Sequence, residues 1–95
     1  MKISISTTAK NGHLICHVIN GNDVKILSSR DSDSKECMLA SGMKYKFEWH
    51  VWSSTSAEYK IEADVIPTTP GFPPFNWDKN YDSAHQDMGG FYFTV

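Results

Sequence analysis

From Lys44 to Trp52 apolar and polar residues alternate without a break, with Tyr45, Phe47, Trp49 and Val51 on one side and Lys44, Lys46, Glu48, His50 and Trp52 on the other. The same period of two runs from Glu58 to Ile66, where Tyr59, Ile61, Ala63 and Val65 form the apolar side. Alternate side chains point to opposite faces of a strand, whereas a helical period of about 3.6 scatters these rings around an axis. Both stretches are therefore predicted strands. A short loop over Ser54, Thr55 and Ser56 predicts a hairpin that pairs Val51 with Tyr59, Trp49 with Ile61, Phe47 with Ala63 and Tyr45 with Val65.

The start of the chain follows the same rule. Asn11 and Gly12 suit a two-residue type I′ loop, which sets Ile5 opposite Val18, Thr7 opposite Cys16 and Ala9 opposite Leu14 on one dry face. A three-residue loop over Asn20, Gly21 and Asn22 then pairs Val18 with Val24 and Cys16 with Ile26, with Asn22 in the left-handed conformation. The run Ser28–Lys35 has no apolar anchor and reads as an exposed, mobile loop. A short strand around Glu36–Leu39 precedes a turn at Ser41–Gly42, and Phe91, Phe93 and Val95 mark a last strand introduced by Gly89 and Gly90. Six or seven antiparallel strands in one domain, residues 1–95, define an all-β chain. The interval 67–90, with Pro67, Pro70, Pro73 and Pro74, is a long proline- and aromatic-rich loop before the last strand.

Leu39, Gly42, Tyr45 and Phe47 form a pattern, LxxGxxYxF, that resembles the turn and strand of immunoglobulin-like and fibronectin type III-like sandwiches. The resemblance implies an immunoglobulin-like β-sandwich in which Tyr45 ties back to the preceding turn. It covers about ten residues and implies architecture only, because such folds host many functions. Cys16 and Cys37 do not flank the tryptophan strand as the inter-sheet disulfide of antibody domains does.

Length and charge narrow the picture further. A chain of 95 residues buries about 60–65% of its unfolded surface, so aromatic rings must supply much of the core. Net charge is −2 from nine basic and eleven acidic residues mixed along the chain. No basic field is expected to draw in nucleic acid. No apolar run approaches the roughly 20 residues of a membrane span, and the alternating N-terminus shows no signal-peptide core. The expectation is a cytoplasmic protein with two reduced thiols.

Candidate chemistry is sparse. His13 and His17 share a strand face but stand roughly 13 Å apart, and no zinc-ligand spacing occurs, so no metal or cofactor is expected. Glycine-rich phosphate loops and GxSxG are missing. Glu48 and Glu62, expected opposite each other on an outer face, read as a charge ladder with Lys46 and Lys60 rather than an acid–base pair. An enzyme is not expected.

Function is sought in the aromatics instead. Trp52 points outward at a strand end, and Phe72, Phe75, Trp77 and Tyr81 share the long loop with Asp78. Two arrangements are open: the loop rings form a lid over the core, or some stay exposed as a contact surface. The favoured expectation is a non-catalytic protein-interaction or structural module. The alternative is recognition of a carbohydrate or other small ligand, stacked on Trp52, Phe72, Phe75, Trp77 and Tyr81 with Asp78 binding hydroxyls.

Overall fold

The computed structural model describes residues 1–95 as eight strands: β1 (Lys2–Lys10), β2 (His13–Ile19), β3 (Lys25–Arg30), β4 (Asp33–Met38), β5 (Lys44–Ser53), β6 (Ala57–Ile66), β7 (Phe75–Tyr81) and β8 (His85–Thr94). They form two four-stranded sheets of order β4-β1-β6-β7 and β3-β2-β5-β8. All pairings are antiparallel. No helix is long and apolar enough to cross a membrane.

The two orders are related. Each of the pairs β1–β2, β3–β4, β5–β6 and β7–β8 leaves one sheet and enters the other, and the pairs lie side by side in the same sequence in both sheets. The sandwich is thus a set of long extended segments, each folded in half over the core. All the folds sit at one end, at Asn11–Gly12, Asp31–Ser32, Ser54–Ser56 and Asp82–Ala84. Both chain termini and the turns after β2, β4 and β6 lie at the other. An immunoglobulin constant-type sandwich keeps its first two strands side by side; here β1 and β2 belong to opposite sheets.

This geometry corrects the hairpins expected at Asn11–Gly12 and Ser54–Ser56. β1 pairs with β4 and β6, and β2 with β3 and β5. Ile5, Thr7, Cys16 and Val18 are all buried, as are Phe47, Val51, Tyr59 and Ile61, but members of each set meet across the core instead of along a ladder. A hairpin and a fold-over both put two apolar faces on one core, so alternation alone is blind to the difference. The turn chemistry is not. A type I′ loop needs positive φ at both central residues, and only Asn11, at 63°, has it. Gly12 is small because the Tyr59 hydroxyl and ring stand where a β-carbon would be.

The fold at Asp31 shows what replaces ladder hydrogen bonds. Thr7 donates from its hydroxyl to the Asp31 carbonyl at 2.7 Å, while Asp31 Oδ1 accepts the Leu14 N–H at 3.0 Å. With the Thr7 proton committed, buried Ser29 donates to Thr7 Oγ1 at 3.1 Å. Ser28–Lys35 is consequently the end of β3, a fold and the start of β4, not a mobile loop. Its polar residues are tolerated because both strands are sheet edges, wet on their outer side.

Two further expectations change. The β2–β3 register is Val18↔Leu27 and Cys16↔Ser29, with a bulge after Val18. The turn is wider because the Asn20 side chain accepts the N–H groups of Asn22 and Val24, and the left-handed residue is Asp23, not Asn22. The expected long loop 67–90 contains all of β7 and the first half of β8. Its alternation, Phe75, Trp77, Tyr81 against Asn76, Asp78, Asn80, was masked by strand-poor residues on the solvent side and by Gly89–Gly90.

Between the sheets, Tyr45, Phe47, Tyr59, Ile61 and Phe93 are buried, whereas Trp49 and Phe91 are half-buried at the side where β7 and β8 form the edges. Tyr45 Oη accepts the Ala40 N–H at 2.7 Å, the tie to the preceding turn that the resemblance implies.

Candidate recognition surface

The aromatic residues singled out in the sequence do not form one surface. Phe72 is buried and meets Phe93 edge-on at 4.7 Å and Phe47 at 5.9 Å. Phe75 lies 5.3 Å from Phe47 and 5.2 Å from Trp49, and Trp77 lies 5.7 Å from Trp49. These rings plug the opening between the β7 and β8 edges, which is the lid arrangement. Tyr81 stacks on His85 at 3.9 Å and donates to Asp87 Oδ2 at 2.9 Å. Burial, together with that donated hydrogen bond, pushes the Tyr81 phenol up to about 12. Asp78 is exposed on the outer face of the first sheet, beside Lys60.

Trp52 lies on a different face, the outer side of β3-β2-β5-β8. The register lays that face out in rows: His13, Trp52 and Gln86; then Arg30, Ile15, His50 and Met88; then Ser28, His17, Glu48 and Gly90; then Ile19, Lys46 and Tyr92. Trp52 is half-buried between two imidazoles, His13 at 5.4 Å and His50 at 5.0 Å. The centre of the face is a groove of about 440 Å³ lined by Ile15, His17, Lys46, Glu48, Trp49, His50, Met88, Gly89 and Gly90. Consecutive glycines lie in its lining. At Gly89 the Trp49 indole takes the space of a β-carbon on the core side, and at Gly90 the Phe47 carbonyl and Glu48 crowd that space, so β8 lies close against β5 between Met88 and Tyr92.

The groove's borders are large apolar side chains left open to solvent. Met88 is 67% exposed and Tyr92 65%. Lys44 and Lys46 stand over the Tyr92 ring at 4.8 and 5.6 Å from its centroid. Glu48 is held by Lys46 at 3.3 Å and His17 Nδ1 at 3.6 Å. Burial, then the Lys25 charge, lower the His17 pKa despite the Glu48 hydrogen bond, which acts against them. Nε2 of His50 is buried without a hydrogen-bond partner, so polar satisfaction is incomplete beside this groove.

Charge is sorted by face, although it is mixed along the chain. Outward positions of the second sheet carry Lys25, Arg30, Lys44 and Lys46 against Glu48 alone. Those of the first sheet carry Glu36, Glu58, Glu62, Asp64 and Asp78 against Lys2, Lys10 and Lys60. Glu48 and Glu62, expected opposite each other, stand on opposite faces of the molecule for the same reason that β5 and β6 do not pair. No three His, Cys, Asp or Glu side chains converge to hold a metal ion.

The sheet edges are blocked. Lys35 shares the core side of β4 with Ile5 and donates from Nζ to the Ser28 carbonyl of β3 at 2.8 Å, bridging the two edges on that side. Asp87, on the core side of β8 opposite Val51, bridges to Tyr81 of β7 on the other. Inward charges of this kind oppose pairing with a further strand.

Met88, Tyr92, Ile15 and the glycine pair were not singled out in the sequence. Their signal was present: Ile15 and Ile19 are apolar residues on the wet side of β2, and Tyr92 stands on the wet side of the last strand. The chain matches no protein-family model, no curated protein and no solved structure.

Proposed function

We propose that this chain is a non-catalytic protein-interaction module that holds its partner on the outer face of β2, β5 and β8. One observation carries the reading: a groove of about 440 Å³ that runs over Gly89 and Gly90 and is bordered by exposed Met88 and Tyr92. Aromatic residues and Met are enriched in protein interfaces, and a ring or flexible thioether beside a pocket is the usual form of an energetic anchor. The groove suits one side chain of a partner. Face binding is favoured over strand addition because Lys35 and Asp87 obstruct the edges.

Absence of catalysis in this reading rests on the state of the candidate groups. Burial, then the Glu48 charge, push the Cys16 thiol up to about 12, which leaves it inert as a nucleophile. The immunoglobulin-like resemblance contributes the two-sheet sandwich and the Tyr45 tie to this reading, and nothing about the partner.

Selection from a displayed random-peptide library tests it. Peptides enriched on the wild-type chain should lose at least about tenfold in affinity, the effect of one anchor of about 1.4 kcal/mol, on Met88→Glu and on Tyr92→Ser. Glu62→Lys, on the opposite face, should leave them unchanged. Enrichment of nothing, or of peptides indifferent to both groove variants, refutes the reading.

A further inference from the structure

We infer, resting on that reading, that the partner presents an acidic segment with one apolar side chain, the apolar group entering the groove over Gly89 and Gly90 and carboxylates meeting the cations around it. Unspent charge carries this. On the first sheet's outer face every lysine already has a carboxylate: Lys2 with Glu36, Lys10 with Glu58 and Lys60 with Glu62. On the second sheet's face Lys25, Arg30 and Lys44 have no carboxylate partner within the 4.0 Å of an ion pair. Lys46 alone is paired, and the one acid, Glu48, is shared between Lys46 and His17.

The placement fits an extended peptide. Arg30 occupies the row of Met88 at the far side of the sheet, and strands about 4.8 Å apart put it roughly 14 Å from β8. Lys44 lies at Tyr92 on the other side of the groove, 4.8 Å over the centroid of its ring. An extended chain advances about 3.3 Å per residue, so carboxylates two to four residues on either side of a seated apolar side chain reach these cations. Complementary charge of this kind steers encounter and fixes register. Ile15, Trp49 and Met88 give the groove between an apolar part, which rewards a side chain that a phosphate backbone lacks. Glu48 at its centre repels phosphate.

The test uses end-blocked nonapeptides with a central phenylalanine and four glutamates, lysines or serines on either side, plus an oligothymidylate, each titrated against the intact chain by tryptophan fluorescence and amide chemical shifts. The glutamate peptide should bind at least about tenfold more tightly than the lysine peptide, an advantage that shrinks as salt shortens the screening length below about 10 Å. Arg30→Glu with Lys44→Glu should reverse the preference, and Arg30→Gln with Lys44→Gln should erase it, circular dichroism reporting an unchanged fold.

Equal affinity for the glutamate and lysine peptides overturns the inference while leaving the surface reading intact if both are lost on Met88→Glu. Tighter binding of the oligothymidylate than of any peptide overturns it in favour of nucleic acid. Failure of all the peptides when library-selected ligands still map to the groove also overturns it. Failure of the library as well removes the surface reading itself.

Discussion

Phe72→Ala decides whether the ring in the proline-rich loop belongs to the core. At 1% exposure Phe72 is among the most buried large side chains, and its ring meets Phe47, Phe91 and Phe93 at 5.9, 5.7 and 4.7 Å. Truncation forfeits about 2 kcal/mol of transfer free energy. If half of roughly 100 Å³ of lost ring volume stays open, the cavity adds about 1.2 kcal/mol at about 24 cal/mol per Å³. Loss of edge-on aromatic contacts adds about 0.5–1.5 kcal/mol. The expected cost is about 4 kcal/mol, within the usual range for such substitutions and a large share of a small domain's stability. Urea unfolding followed by near-ultraviolet circular dichroism measures it, with an unchanged m-value showing that both end states keep their extent. The Thr69–Phe72 bridge, with the Phe72 N–H bond to the Thr69 carbonyl at 3.2 Å, and the Gly71 N–H bond to Thr69 Oγ1 at 3.4 Å hold the loop to itself. Detachment of the loop in the variant would expose Phe75 and Phe91 and give binding of a hydrophobic dye. A loss below about 1 kcal/mol without dye binding refutes the reasoning.

Asp31→Ala removes the acceptor of the Leu14 N–H and should cost about 1–3 kcal/mol by the same urea measurement, because an amide at a fold-over has no ladder partner to replace it. Lys35→Val takes away the inward charge that bridges β3 and β4 and should raise the dimer fraction in sedimentation equilibrium, whereas Lys60→Val on an interior strand of the first sheet should not. His17 has a folded pKa lowered below 6.5, so the unfolded chain binds more protons as pH falls below that value; stability should drop there and level off below the folded pKa, and His17→Gln should remove that part of the slope.

How far the amino-acid pattern reaches can be read from particular residues. Tyr45, Phe47, Tyr59 and Ile61 are buried as their period of two predicts, because alternation puts all four on the face that the opposite sheet covers. Trp49, of the same series, is only half-buried, since it stands at the side of the core where β7 and β8 are the edge strands. Partnering was illegible for β1–β2 and β5–β6, where a short turn permits either a ladder or a fold over the core. At β1 the Thr7 hydroxyl bonds the Asp31 carbonyl 24 residues away, a contact that no local pattern contains.

The candidate surface divides along the same line. Alternation by itself placed Trp52 and His50 outward, and it also put Lys44, Lys46 and Glu48 on their side. It could not say that His13, His17, Arg30, Met88 and Tyr92 join them, since that needs β2, β3, β5 and β8 to be neighbours. Nor could it reveal the sorting of charge, because residues that alternate sign along one strand come to lie beside different strands. Chain chemistry determined an all-β sandwich and the inward and outward identity of most residues, as each is a property of short stretches obeying a two-residue period. Tertiary structure alone decided which outward faces merge, where a groove runs over Gly89 and Gly90, and which cations remain unpaired, because these depend on contacts between segments far apart in the chain.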